Sequence, residues 1–306
     1  MEANQERSIR EKNFLKNNKK PIALFLLIIT TIFWGSTFII TKTIIKDVPL
    51  FFYLSLRFMI ALIGFLPFFI YLKRINKQII IMGIISGLIY FVAIATQTIG
   101  LETTSAGKAG FITGLSTIMV PFLGRIFFKE SFRKRAWLAA FISVVGLAFL
   151  FLEGEKGIIL GDIWVLICAI FCALFILYND KAVNTVNIYL YSIIQLITII
   201  LCCFSSSLLL QEQYYQIEFT LDFWLIMIYM GIIVTTLTFL FTNWSQKHQD
   251  PATTAIIFAL EPVFAAIFGY FLGGEIFTPL GFLGSGLILI AIFVTVIKNR
   301  SEYKKE

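Results

Sequence analysis

Apolar runs of 18 or more residues recur from one end of the chain to the other, separated by short polar interruptions. At about 1.5 Å of rise per residue, such a run crosses a hydrocarbon core about 30 Å thick as a helix. A β-barrel would need alternation with period two instead. The pattern predicts spans at 22–44, 50–72, 78–101, 105–128, 135–152, 160–180, 185–210, 221–244, 252–273 and 279–297. The expected fold is therefore an all-α membrane protein with ten transmembrane helices, flanked by basic tails over 1–21 and 299–306.

Composition supports this reading. The 306 residues are 58% hydrophobic and 14% charged, with a mean hydropathy of +0.88, whereas an average soluble domain is about 25% charged. Lys and Arg fall unevenly between the spans. One side collects the N-terminal tail (Arg7, Arg10, Lys12, Lys16, Lys19, Lys20), loops bearing Lys73, Arg74 and Lys77, then Lys129, Arg133, Lys134 and Arg135, then Lys181 and Lys247, and the tail with Lys298, Arg300, Lys304 and Lys305. The opposite loops hold only Lys46 and Lys156. Basic residues stay in the cytoplasm, so both termini are expected there and the protein in the cytoplasmic membrane. The net charge of +7 then reflects topology rather than a nucleic acid partner. The first span is too long for a signal h-region and lacks a cleavage site, so it is expected to remain as an anchor.

The chain also repeats itself. Residues 104–151 laid over 249–296 match Gly124 to Gly269, Phe132 to Phe277, Leu115 to Leu260 and Glu130 to Glu275. A second overlay, at an offset of about 139 residues, sets the first span on the sixth, with Lys42 on Lys181. Two units of five spans, 22–152 and 153–298, follow. An odd number forces the second unit to enter the membrane from the other side, the inverted-repeat plan of many secondary transporters, with the substrate near the midplane.

Four stretches carry a resemblance: FWGSTFIITK (33–42), LRFMIAL (56–62), GLETTSAGKAGFITGLSTIMVPFLGRIFFKE (100–130) and ALEPVFAAIFGYFLGGE (259–275). Together they resemble the EamA-type ten-helix members of the drug/metabolite transporter superfamily. Thr117 stands where many members have Pro, and Pro121 follows one turn later. The resemblance implies an alternating-access carrier, often an exporter of small metabolites, with a cavity lined by the first, third, fourth, sixth, eighth and ninth helices.

Charges inside spans mark candidate chemistry, because a charged side chain at mid-membrane costs about 2.5 to 3.5 kcal/mol on translocon scales. Lys42, Lys108 and Arg125 lie near helix ends, within snorkelling reach. Lys42 keeps an interest because it shares a helix face with Trp34. Arg57 lies roughly 10 Å into its helix and needs a partner, either a fixed interhelical contact or the substrate. Glu261 falls near mid-bilayer. It is expected to be either ionised beside Arg57 or a cation, or protonated, since desolvation favours the neutral form. Pro262 removes a backbone donor beside it and softens the helix. Pro121 is the corresponding hinge candidate in the first half. Polar and aromatic residues in otherwise apolar helices complete the candidate set: Trp34, Thr37, Tyr90, Gln97, Thr113, Thr117, Tyr178, Asn179 and Asn243.

Other chemistries find little support. Cys168, Cys172, Cys202 and Cys203 read as packing residues without a neighbouring His, so no metal site or disulfide framework is expected. The pair Gly107-Lys108 lacks the earlier Gly and the following Ser or Thr of a phosphate loop, so no ATP site and no cofactor are expected. The only histidine is His248, and neither HExxH nor GxSxG occurs, which argues against an enzyme. The expected function is secondary active transport of a small metabolite such as an amino acid, as an exporter or exchanger. Partners are then the substrate, the bilayer and a coupled proton or counter-solute. The alternative is a multidrug or cationic-compound exporter.

Overall fold

The computed structural model describes residues 2–151, 158–213, 217–273 and 279–296, and every regular element among them is helical. In chain order these are α1 (Glu2–Ile44), α2 (Leu50–Gly64) with a 3-10 helix (Leu66–Arg74), α3 (Lys77–Leu101), α4 (Ala106–Gly114), α5 (Ser116–Phe127), α6 (Lys134–Phe151), α7 (Leu160–Thr185), α8 (Ile188–Leu209), α9 (Leu221–Ile228) running through a π-helix (Tyr229–Leu237) into α10 (Thr238–Gln246), α11 (Pro251–Phe258), α12 (Glu261–Gly273) and α13 (Pro279–Val296). Seven helices are long and apolar enough to cross a membrane, and an eighth results if the bent pair after Pro49 counts as one. Helices of 18 residues, α6 and α13, occupy the two remaining predicted places. Large apolar side chains point outward, Phe25, Phe141, Leu201 and Phe293 among them, each at least 60% exposed. A surface so apolar suits lipid rather than water.

Several predicted spans are interrupted. The stretch expected over 50–72 turns by 74° between Gly64 and Leu66, where Pro67, at the start of the 3-10 helix, cannot supply a helical N–H. The stretch expected over 252–273 breaks at Ala259 and Leu260. There the hydrogen bonds tighten to Leu260 N–H donating to the Ile257 carbonyl at 3.0 Å, immediately before Glu261 and Pro262. The stretch expected over 105–128 breaks at Leu115, whose N–H donates to the Ile112 carbonyl at 3.1 Å. Leu115 and Leu260 are the two residues superposed by the internal repeat. The break in the first half therefore sits six residues before Pro121, which lies inside the continuous α5.

Packing follows the same duplication. The contacts of α1 with α12 correspond to those of α7 with α4 and α5, and those of α3 with α7 to those of α1 with α10. Likewise α3 on α8 corresponds to α2 on the π-helix, while α2 with α8 and α6 with α13 map onto themselves. Small residues allow the closest approaches. A Cβ on Gly35 would lie 2.9 Å from the Ala265 backbone nitrogen, so α1 and α12 meet nearly backbone to backbone. Gly83 and Gly87 receive α8 in the same way, as small-xxx-small pairs do.

Candidate functional site

Most polar side chains in the helices are satisfied by their own backbone. Thr30, Thr31, Ser36 and Thr37 each donate to a carbonyl three or four residues earlier, at 2.7 to 2.9 Å. These hydroxyls carry little recognition chemistry, which narrows the site to groups that face empty space.

One cavity does so, with about 650 Å³ of space between atoms, its mouth included. Its walls come from α1 (Trp34, Thr37), α2 (Arg57), α3 (Tyr90, Ala93, Ile94, Gln97), α4 and α5 (Thr113, Gly114, Ser116), α7 (Cys168, Cys172, Phe175, Ile176), and α11 and α12 (Phe258, Glu261). Both helix breaks open onto it, which places Ser116 and Glu261 in the first turns of α5 and α12.

Arg57 is 2% exposed. Its Nε donates to Thr235 Oγ1 at 3.0 Å, and its guanidinium lies 5.6 Å from the Phe58 ring centre. The π-helix sets this contact, since it directs the Thr235 hydroxyl back to the Met230 carbonyl five residues earlier, at 2.7 Å. π-Turns of this kind are frequent at functional sites. The terminal nitrogens of Arg57 have no acceptor among the described residues. Glu261 is 9% exposed, and no hydrogen bond or ion pair reaches its carboxyl among them either. The carboxyl stands in the first turn of α12, where the helix dipole favours negative charge. The two groups thus share a cavity without forming an ion pair. Trp34, Tyr90, Phe175 and Phe258 give the same cavity an aromatic wall. The Trp34 ring centre is 4.9 Å from that of Phe258, and Tyr90 packs at 4.9 Å on Phe175 and 5.1 Å on Phe239. The Trp34 indole donates to Thr238 Oγ1 at 3.0 Å, and Gln97 Nε2 to Thr113 Oγ1 at 3.3 Å.

Polar clusters close the bundle on both sides of this cavity. At the end where α1 and α3 finish and α7 begins, Lys108 Nζ lies 2.5 Å from Asp162 Oδ2. The Thr104 hydroxyl donates to Asp162 Oδ1 at 2.8 Å, the Ile159 N–H donates to Oδ2 at 2.9 Å, and Lys42 Nζ donates to the Thr104 carbonyl at 2.7 Å. At the opposite end, Asn179 Nδ2 donates to Asn243 Oδ1 at 2.8 Å and also to Gln246 Oε1. The Tyr191 hydroxyl donates to Asn179 Oδ1 at 2.7 Å and approaches Ser86, and Asn243 donates to Ser192 Oγ at 2.7 Å. The first cluster continues α1, α4 and α7 beyond the cavity and the second continues α3 and α7, roughly 5 to 10 Å along their axes at the helical rise, with α8 and α10 supplying the second cluster's remaining members.

Seven of the residues proposed from sequence therefore meet at the cavity: Trp34, Thr37, Arg57, Tyr90, Gln97, Thr113 and Glu261. The others lie elsewhere. Asn179 and Asn243 belong to the polar cluster beyond it, and Tyr178 packs beside Met82 and Tyr191. Thr117 donates to the Ala255 carbonyl at 3.2 Å, joining the two broken stretches, and Pro262 packs near Gly110 and Gly114. Lys42 sits in the first cluster. Lys108 does not snorkel as expected: it is 4% exposed and paired with Asp162, an acid in the first turn of α7. Arg125 is exposed, consistent with a snorkelling residue. Cys168 and Cys172, expected as packing residues, line the cavity.

The buried pair makes a stability prediction. Asp162→Asn should lower the thermal unfolding temperature of the purified protein, because breaking a buried ion pair by removing one partner costs about 3 to 5 kcal/mol. Adding Lys108→Met should recover most of the loss. Equal unfolding temperatures for wild type and Asp162→Asn would show that the pair contributes nothing.

The profile of the EamA-like transporter family matches residues 21–152 and again 159–297. The chain is 28% identical over 313 residues to a protein of Archaeoglobus fulgidus named an uncharacterized transporter, covering 95% of this chain and 98% of that one. It is 25% identical to the uncharacterized transporter YoaV of Bacillus subtilis, over 88% of this chain and 94% of that one. A solved crystal structure superposes with a TM-score of 0.74 at 16% identity, over 90% of this chain and 99% of the other, which speaks for the fold alone. With its helical bundle and both halves matched, the chain belongs to the EamA-like transporter family and is a multi-pass membrane transporter of the drug/metabolite transporter superfamily.

Proposed function

We propose that this transporter is a secondary carrier that moves a small amphoteric metabolite, of the size and charge of an amino acid, across the cytoplasmic membrane by alternating access, as an exporter or exchanger. The observation that carries the reading is the cavity itself, where the Arg57 guanidinium and the Glu261 carboxyl line the same space and, among the described residues, form no ion pair with one another or with any other side chain. A substrate carboxylate fits the free fork of Arg57, since paired N–H donors match a carboxylate. A substrate ammonium fits Glu261, and an apolar side chain fits the wall of Trp34, Tyr90, Phe175 and Phe258.

Movement follows from the two polar clusters. In this reading ten spans form two inverted five-helix units, 22–152 and 153–298, which rock about the cavity so that one cluster parts while the other holds. With both termini cytoplasmic, as the basic loops suggest, the Lys108–Asp162 cluster is the outer closure and the Asn179–Asn243 cluster the inner one. Uptake of a proton by Glu261, or of a counter-solute by the empty cavity, resets the carrier. The aromatic wall also favours a second reading, export of cationic drugs, but Arg57 in the same cavity opposes a purely cationic guest.

Purified protein in proteoliposomes separates the readings. Accelerated efflux of neutral amino acids from loaded vesicles supports the first. Efflux of lipophilic cations with no amino acid flux supports the second and removes the first.

A further inference from the structure

Cys168 and Cys172 stand one helical turn apart on α7, so they share a face, and that face lines the cavity. Their sulfurs are 3.6 Å apart. The geometry points to a second kind of ligand site within the cavity, a dithiol that captures a pyramidal thiophilic centre, specifically a monosubstituted trivalent arsenical.

The spacing selects the ligand. Two sulfur bonds of about 2.3 Å, the zinc–thiolate length, span 3.6 Å at a bond angle of about 100°. A linear two-coordinate soft ion needs sulfurs about 4.6 Å apart on the same bond length, so it does not fit this pair. A tetrahedral metal fits the angle but needs two further ligands. Among the described residues no group of three His, Cys, Asp or Glu side chains could hold a metal ion. An arsenic centre that already carries one organic group needs only two sulfurs. In the reaction with an organoarsenic oxide, two As–S bonds form and the As=O bond breaks. Both thiol protons leave with the oxide oxygen as one water, and arsenic remains trivalent. Cys202 and Cys203 offer no such site, because neighbours on a helix point about 100° apart and neither lines the cavity.

The probe is phenylarsine oxide, and the readout is intact mass with thiol counting on the folded, detergent-purified protein, so the outcome does not depend on any transported substrate. In a Cys202→Ser/Cys203→Ser background, one adduct per chain is expected, with both remaining thiols protected from maleimide. A dithiol should reverse it and a monothiol should not. Cys168→Ser and Cys172→Ser should each lower the apparent affinity by at least 100-fold, with an unchanged unfolding temperature showing that the fold is kept. No adduct on the folded protein, or equal binding by either single-cysteine variant, would overturn the assignment.

Discussion

Glu261→Gln is expected to fold at normal abundance and to lose transport. The carboxyl has no protein partner among the described residues, so the isosteric amide leaves no other buried group stranded, and the unfolding temperature should stay within a degree or two of wild type. Function is different, because the substrate ammonium then loses its only counter-charge in the cavity. Truncating one side of a desolvated charge contact costs about 2 to 5 kcal/mol, so flux at subsaturating substrate should fall by roughly 30-fold or more. The pH profile should change as well. A carboxyl that takes up and releases a proton during the cycle makes flux depend on pH, and an amide cannot, so the variant's residual flux should be flat. Undiminished flux with the wild-type pH profile would place Glu261 among structural residues.

Arg57 should be the more discriminating position. Arg57→Lys keeps the positive charge but replaces the planar fork with a point charge and loses the Nε contact to Thr235. The expected result is weaker substrate binding by about tenfold with transport retained, since fork recognition of a carboxylate is what a lysine cannot reproduce. Arg57→Gln removes the charge and should abolish binding of any substrate that carries a carboxylate. If the cavity instead takes cations, Arg57→Gln should increase their flux, because a repulsive charge has gone. Concentration dependence of efflux in proteoliposomes distinguishes the two outcomes by the direction of change.

The helices were legible because hydrocarbon imposes a simple rule, about twenty apolar residues per crossing, and the structure places helices at each predicted stretch. The break at Leu260 could be anticipated from Pro262. Its partner at Leu115 could not be read from proline, since Pro121 sits inside a continuous helix, but it follows once Leu115 is laid on Leu260 in the repeat. The π-helix had no counterpart in the sequence pattern, because one extra residue per turn leaves hydropathy unchanged, and with it the link from Thr235 to Arg57 was hidden. Lys108 and Asp162 lie 54 positions apart and meet only through the packing of α4 on α7. Lys108 reads from sequence as an ordinary helix-end charge, whereas in the structure both residues are buried. Cys168 and Cys172 are spaced i, i+4, which puts them on one face of α7, but spacing alone does not say that this face lines a cavity. Glu261 and Arg57 lie too deep in their helices to snorkel, and both line the cavity.

Thermal stabilisation of the purified transporter against three sets of small solutes, namely zwitterionic amino acids, monocations and monoanions, tests the amphoteric cavity most directly, because a ligand that binds only the folded state raises the unfolding temperature with its concentration. The account predicts a concentration-dependent rise with at least one zwitterion, no rise with either singly charged set, and loss of the rise in both Glu261→Gln and Arg57→Gln. A rise confined to monocations or monoanions, or one that survives both substitutions, would contradict it.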